Sequence, residues 1–133
     1  MAGHDFLLSP GVAARPPARF DAIDRLQWIY PDIPQDYLDL LAGANGLEGT
    51  IGSGYVALTA CEAIWKDNDD LGVSEYAPGF VVFGSDGAGE LFAFDARAIP
   101  WSYGRLPLVG LSAESFVSMG ESLDEFFQRV ADP

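Results

Sequence analysis

The sequence predicts an α+β fold in which helices pack on a mainly antiparallel sheet. Segments of helical period stand at both ends of a run of short, β-rich segments, and two of those segments are joined by a short glycine-bearing connection. No strand–helix–strand alternation of the kind that builds parallel sheets is visible. A chain of 133 residues, 49% of them hydrophobic, has the size of one ordinary domain and buries a core without disulfides or metals. Residues 1–17 run into Arg15-Pro16-Pro17 without a period and read as an N-terminal arm, laid on the domain or left mobile, ahead of a single domain at 18–133.

The first helix is expected from Phe20, Ile23, Leu26 and Tyr30, which recur at helical spacing until Pro31 and Pro34 break it. A second helix opens on Pro34, Gln35 and Asp36 and carries Tyr37, Leu40, Leu41 and Ala44 on one apolar face. Asn45-Gly46 then supplies a left-handed stop. Residues 46–54 are glycine-rich, and Tyr55-Val56-Ala57-Leu58 is a short strand. Thr59-Ala60-Cys61-Glu62 matches a capping box and predicts a third helix bearing Ile64 and Trp65. That helix is expected to fray or stop near Asp67-Asn68-Asp69-Asp70, where carboxylates face the negative end of the dipole.

The centre of the chain is read as a β-hairpin. Phe80-Val81-Val82-Phe83 and Leu91-Phe92-Ala93-Phe94 flank Gly84-Ser85-Asp86-Gly87-Ala88-Gly89-Glu90, with Gly87 or Gly89 supplying positive φ and Asp86 bonding the loop backbone. The same stretch shares the glycine frame of a phosphate-binding loop. Glu90 and Leu91 stand where that loop needs a lysine and a hydroxyl, and no helix pattern follows, so phosphate binding is rejected. Trp101-Ser102-Tyr103-Gly104 reads as an aromatic loop, with Pro107–Leu111 and Ser115–Met119 as further strands. A second capping box, Ser122-Leu123-Asp124-Glu125, opens a final helix with Leu123, Phe126, Phe127 and Val130 on one face.

Twenty acidic residues against seven basic ones give a formal charge of −13. The phosphate backbone of nucleic acids and anionic membrane surfaces repel such a chain, so its partners should be neutral or basic proteins. A lone cysteine, Cys61, excludes an intrachain disulfide and a thiolate metal cluster, and no apolar run reaches membrane-spanning length. These features predict a cytoplasmic protein. No catalytic constellation emerges: His4 is the only histidine and falls in the arm, and Cys61 in a helix's first turn reads as a packed residue rather than a nucleophile, although the dipole there favours a thiolate. Asp67-Asn68-Asp69-Asp70-Leu71-Gly72 opens like a calcium loop, but Leu71 and Pro78 stand where ligands are required, so neither a metal nor another cofactor is expected. Asp86 and Glu90 as a glycosidase-like carboxylate pair are the remote enzymatic alternative.

The helix Ile33-Pro34-Gln35-Asp36-Tyr37-Leu38-Asp39-Leu40-Leu41, closed by Ala44-Asn45-Gly46, and the hairpin from Phe83 to Asp95 resemble the SUKH superfamily of Smi/Knr-type proteins. Ser122-Leu123-Asp124-Glu125-Phe126-Phe127 resembles the closing helix of that family, and the likeness covers residues 20–131. Ala88 replaces one family glycine, and the N-terminal arm lies outside the match. The resemblance implies an α+β fold and, for bacterial members, immunity proteins that bind and neutralise a polymorphic toxin, often a nuclease. Fungal relatives regulate cell-wall assembly, which makes a regulatory or scaffold domain with an endogenous partner the alternative. Partner binding by inhibition would use exposed acidic and aromatic loops, so Trp65, Asp67, Asp69, Asp70 and Glu75 form one candidate surface, and Asp86, Glu90, Trp101 and Tyr103 a second.

Overall fold

A computed structural model describes residues 11–133; His4 and the first ten residues of the expected arm lie outside it. Its seven strands form one antiparallel sheet in which each strand pairs with the next in sequence. They are β1 (Val12–Ala14), β2 (Leu47–Ile51), β3 (Gly54–Leu58), β4 (Phe80–Ser85), β5 (Glu90–Asp95), β6 (Ser102–Pro107) and β7 (Val117–Gly120). The helices are α1 (Phe20–Ile29), α2 (Gln35–Gly43), α3 (Ile64–Leu71), α4 (Val73–Tyr76) and α5 (Leu123–Ala131). The α+β class is therefore as the sequence predicts, with a fully antiparallel sheet.

Both faces of the central strands are covered, and side-chain alternation sorts them into two cores. Val81 and Phe83 of β4, Phe92 and Phe94 of β5 and Tyr103 of β6 point toward Leu26 of α1, Tyr37 and Leu41 of α2, and Phe126 and Val130 of α5. Their neighbours Phe80, Val82, Leu91, Ala93 and Leu106 meet Val73 of α4 and Ala77 just after it on the opposite face, with Leu111 and Phe116. Burial on both sides explains why β4 and β5 read as continuous apolar runs. The predicted hairpin forms: Gly87 and Gly89 have φ of 74° and 101°, and Asp86 Oδ1 accepts from Ala88 N at 2.8 Å and Glu90 N at 3.0 Å.

The final helix is capped as expected, with Ser122 Oγ accepting from Glu125 N at 3.1 Å and Glu125 Oε1 reaching back to Glu121 N at 2.9 Å. α2 ends at Gly43, and the left-handed residue is Gly46 (φ 94°), two residues past the cap. A Cβ at Gly46 would lie 2.8 Å from the Leu58 carbonyl oxygen, so close backbone approach as well as conformation requires glycine there.

Several local expectations are corrected. Part of the expected arm is a strand, since Val12–Ala14 pair with Leu47–Gly49 of β2. The glycine-rich stretch after α2 holds β2, whose Leu47, Gly49 and Ile51 turn inward while Glu48 and Thr50 face out. The aromatic segment at Trp101–Gly104 runs into strand β6 instead of looping, Pro107–Leu111 leaves the sheet after Pro107, and a 3₁₀ turn at Ala113–Ser115 precedes β7. The Thr59–Glu62 capping box forms no side-chain cap; a 3₁₀ turn at Cys61–Ala63 stands there and leads directly into the expected third helix with Ile64 and Trp65. α3 does not fray within the acidic run but stops just beyond it, as expected, at left-handed Gly72. It persists because its buried face is held by Ile64 and Asn68, which outweighs the unfavourable dipole interaction of exposed carboxylates.

Candidate functional site

The placement of Trp65 begins at the end of β3. Thr59 N donates to Phe83 O at 2.9 Å, and the chain then turns away from the sheet through Cys61–Ala63. The cap of this turn comes from elsewhere in the sequence: Asn45 Oδ1 accepts from Cys61 N at 2.6 Å, while Asn45 Nδ2 donates to Glu62 Oε1 at 2.8 Å. That donation is the main reason the Glu62 carboxyl lies below its usual range. Ile64 is buried at the start of α3, and the next residue, Trp65, points outward with 53% of its surface exposed. One turn on, Asn68 Nδ2 donates to Ile64 O at 2.8 Å and to Val82 O at 2.9 Å, and its Oδ1 accepts from Val82 N at 2.7 Å. α3 is thereby fastened to β4 with the indole outside.

Trp65 lines two grooves. One, of about 330 Å³, runs along α1 and is lined by Asp21, Arg25, Leu26, Ile29 and Glu62. The other, of about 360 Å³, lies over α4 and β4 and is lined by Tyr30, Asp69, Val73 and Phe80 among others. Lys66 pairs with Asp70 at 3.0 Å and Arg19 with Asp21 at 3.2 Å, both exposed and worth little to stability. Asp67 and Asp69 make no ion pair among the described residues. An exposed indole beside an unpaired carboxylate suits a basic protein surface, because the indole offers apolar area and attracts cations while Asp69 supplies a charge match.

The first predicted surface is only partly assembled. Trp65 and Asp69 share a groove, Asp67 lines a different one with Arg15 and Glu48, Asp70 is engaged by Lys66, and Glu75 stands on α4 beside exposed Tyr76. The second does not form a surface. Trp101 and Tyr103 are core residues, 6% and 0% exposed, because β6 runs between β5 and β7 and both side chains, Trp101 just before the strand and Tyr103 in it, join the core shared with α1 and α2. Asp86 is engaged by the amides of the hairpin loop, and Glu90 pairs across to Arg105 of β6 at 3.5 Å.

α1 also exposes aromatics that periodicity did not single out as exposed and that line neither Trp65 groove. Phe20 and Trp28 on α1 are 80% and 85% exposed, so Phe20 does not share the buried face predicted for it. The signal was present: Phe20, Asp24 and Trp28 lie four apart, a ridge separate from the stripe of Ile23, Leu26 and Tyr30 that packs inward.

Comparison with protein-family models finds no match for this chain, and comparison with curated proteins finds none either. Among the described residues no group of three or more histidine, cysteine or acidic side chains is arranged to hold a metal ion, and no helix is long and apolar enough to cross a membrane.

Cys61 is buried, and its Sγ donates to Ala22 O at 3.3 Å. Desolvation, followed by the nearby Glu62 charge, pushes its pKa up to about 11, so burial outweighs any dipole activation at this turn. Buried Tyr37 is shifted upward as well, chiefly by desolvation. An acid whose folded pKa is raised stabilises the fold fully below its unfolded pKa and ceases to do so as pH climbs through the folded value. Denaturation midpoints are therefore expected to fall from about pH 9 to about pH 11, and Cys61→Ala should flatten the early part of that decline. An unchanged profile in Cys61→Ala would assign the decline to the tyrosines.

Proposed function

We propose that this chain is a non-enzymatic protein-binding domain that neutralises a basic partner by covering it, in the manner of the immunity proteins its sequence resembles. The observation that carries this reading is the exposed tryptophan of α3, beside Asp69 in a groove that no basic side chain among the described residues lines, on a chain of formal charge −13. Exposed tryptophan is costly to leave in water and is over-represented at binding hot spots, and surface charge of one sign speeds encounter with the opposite sign. A basic nuclease domain fits both. An acidic domain seated on such a toxin occupies the surface meant for nucleic acid, so inhibition requires no turnover.

The test is capture from lysate supplemented with catalytically inactive basic nuclease toxin domains, followed by association kinetics on the captured pair. The expected result is near-stoichiometric recovery of one basic domain, with an association rate that falls about tenfold or more as ionic strength rises from low values to about 0.5 M. Recovery of endogenous regulatory proteins alone would replace the immunity reading with the scaffold one. A salt-independent rate would remove the electrostatic part of the proposal.

A further inference from the structure

The groove over β4 has a chemistry narrower than general acidity. Tyr30 and Trp65 contribute aromatic surface, Val73 and Phe80 apolar surface, and Asp69 is the only charged residue lining it among the described residues. The groove along α1 differs, because Arg19 and Arg25 line it beside Asp21 and Glu62 and oppose an incoming cation. One aromatic of the β4 groove already carries a guanidinium of this chain: Arg97 Cζ lies 4.7 Å from the Phe80 ring centroid. That charge is matched by Asp95, whose carboxylate meets Arg97 at 3.0 Å through both Nε and Nη2. Asp69 makes no ion pair within 4 Å among the described residues; Lys66, which pairs with Asp70, acts on it only at longer range.

A long alkyl stem ending in a planar cation satisfies all of these surfaces at once. The stem covers the apolar floor, the plane stacks on indole or phenol, and the charge meets Asp69. Lysine meets the charge but has neither the plane to stack nor the fork to grip a carboxylate. We propose that this groove receives an arginine side chain of the basic partner, with Trp65 as the stacking surface and Asp69 as the counter-charge. This rests on the binding-domain reading above and assigns it a recognition pocket.

The probe is an acetylated, amidated tetra-arginine peptide, compared with tetra-lysine and with the uncharged tetra-citrulline. Titrations at low salt are followed by the Trp65 indole N–H resonance, assigned through Trp65→Phe. Tetra-arginine is expected to shift that resonance and to bind about fivefold more tightly than tetra-lysine, with tetra-citrulline silent. Asp69→Asn, nearly isosteric on an exposed helix face, should weaken tetra-arginine binding about tenfold, whereas Glu114→Gln, an exposed carboxylate outside both Trp65 grooves, should stay within about twofold. Tight arginine binding that is unaffected by Asp69→Asn, or equal binding of arginine and lysine peptides, overturns the pocket and leaves the acidic-binder reading standing. Absence of binding by either basic peptide to the folded wild-type protein at low salt overturns both.

Discussion

Replacing Asn68 with alanine is expected to destabilise the domain by about 2–4 kcal/mol, a large loss for one polar residue on a short helix. β3 pairs with β4 only at Ala57 with Ser85 and Leu58 with Gly84, so the earlier part of β4 has no strand on that side. Asn68 substitutes for one. Its amide pairs with both the N–H and the carbonyl of Val82, as a neighbouring strand would, and the same amide group also donates to Ile64 O. Alanine leaves two polar groups of buried Val82 without partners, each costing about 1–3 kcal/mol where water does not reach. Asn68→Asp keeps the acceptor for Val82 N but sets a carboxylate against Val82 O, and should be at least as damaging. Asp70→Asn, two residues away in an exposed ion pair, should change stability by less than about 0.5 kcal/mol. Denaturant midpoints compare the three. A loss below about 0.5 kcal/mol for Asn68→Ala would show that solvent satisfies Val82 and that the edge of β4 is not sealed by α3. Because Trp65 and Asp69 ride on the same helix, this variant should also weaken partner binding.

The second large effect is expected at Asp36, in the first turn of α2. Its carboxylate accepts from Tyr103 Oη at 2.5 Å and from Leu123 N at 2.7 Å, joining α2, the centre of the sheet and the start of α5. Leu123 N is one of the amides that the beginning of a helix leaves without an internal partner, so Asp36 completes the cap of α5 from a different helix. Asp36→Ala orphans that amide and a hydroxyl of a residue with no solvent exposure, for an expected loss of about 2–4 kcal/mol. Burial and then the Asp36 partnership hold the Tyr103 hydroxyl above its usual pKa, so it stays a donor throughout the working range. Tyr103→Phe in the Asp36→Ala background should recover about 1 kcal/mol relative to additivity, because it removes the stranded hydroxyl. Strict additivity in that double-mutant cycle would mean that the two residues stabilise the fold independently.

The readability of each element followed from how many of its contacts are local. The hairpin of β4 and β5 was visible because two apolar, β-rich runs and the turn residues between them are adjacent in sequence, and α5 was visible because its cap and apolar stripe lie within one segment. β2 was not, since its inward residues are Leu47, Gly49 and Ile51, too few apolar side chains to distinguish a strand from a glycine-rich loop. Trp101 and Tyr103 were misplaced for a related reason. Gly104 directly after the aromatics reads as a turn, whereas in the fold it leaves room for the Phe116 ring, which lies where a Cβ would project.

Composition and local pattern alone established an acidic α+β domain, its central hairpin, its capped terminal helix and the candidacy of Trp65 and Asp69. They did not establish which aromatics meet solvent. Helical period assigns a side chain to a stripe, but burial depends on what another element lays over that stripe: α2 and the sheet cover Leu26, while nothing among the described residues covers Trp28. The two fastenings at Asn68 and Asp36 are likewise invisible in the chain, because their partners Val82, Tyr103 and Leu123 lie 14, 67 and 87 residues away. Sequence distance carries no signal for a hydrogen bond that exists only once the sheet and helices have assembled.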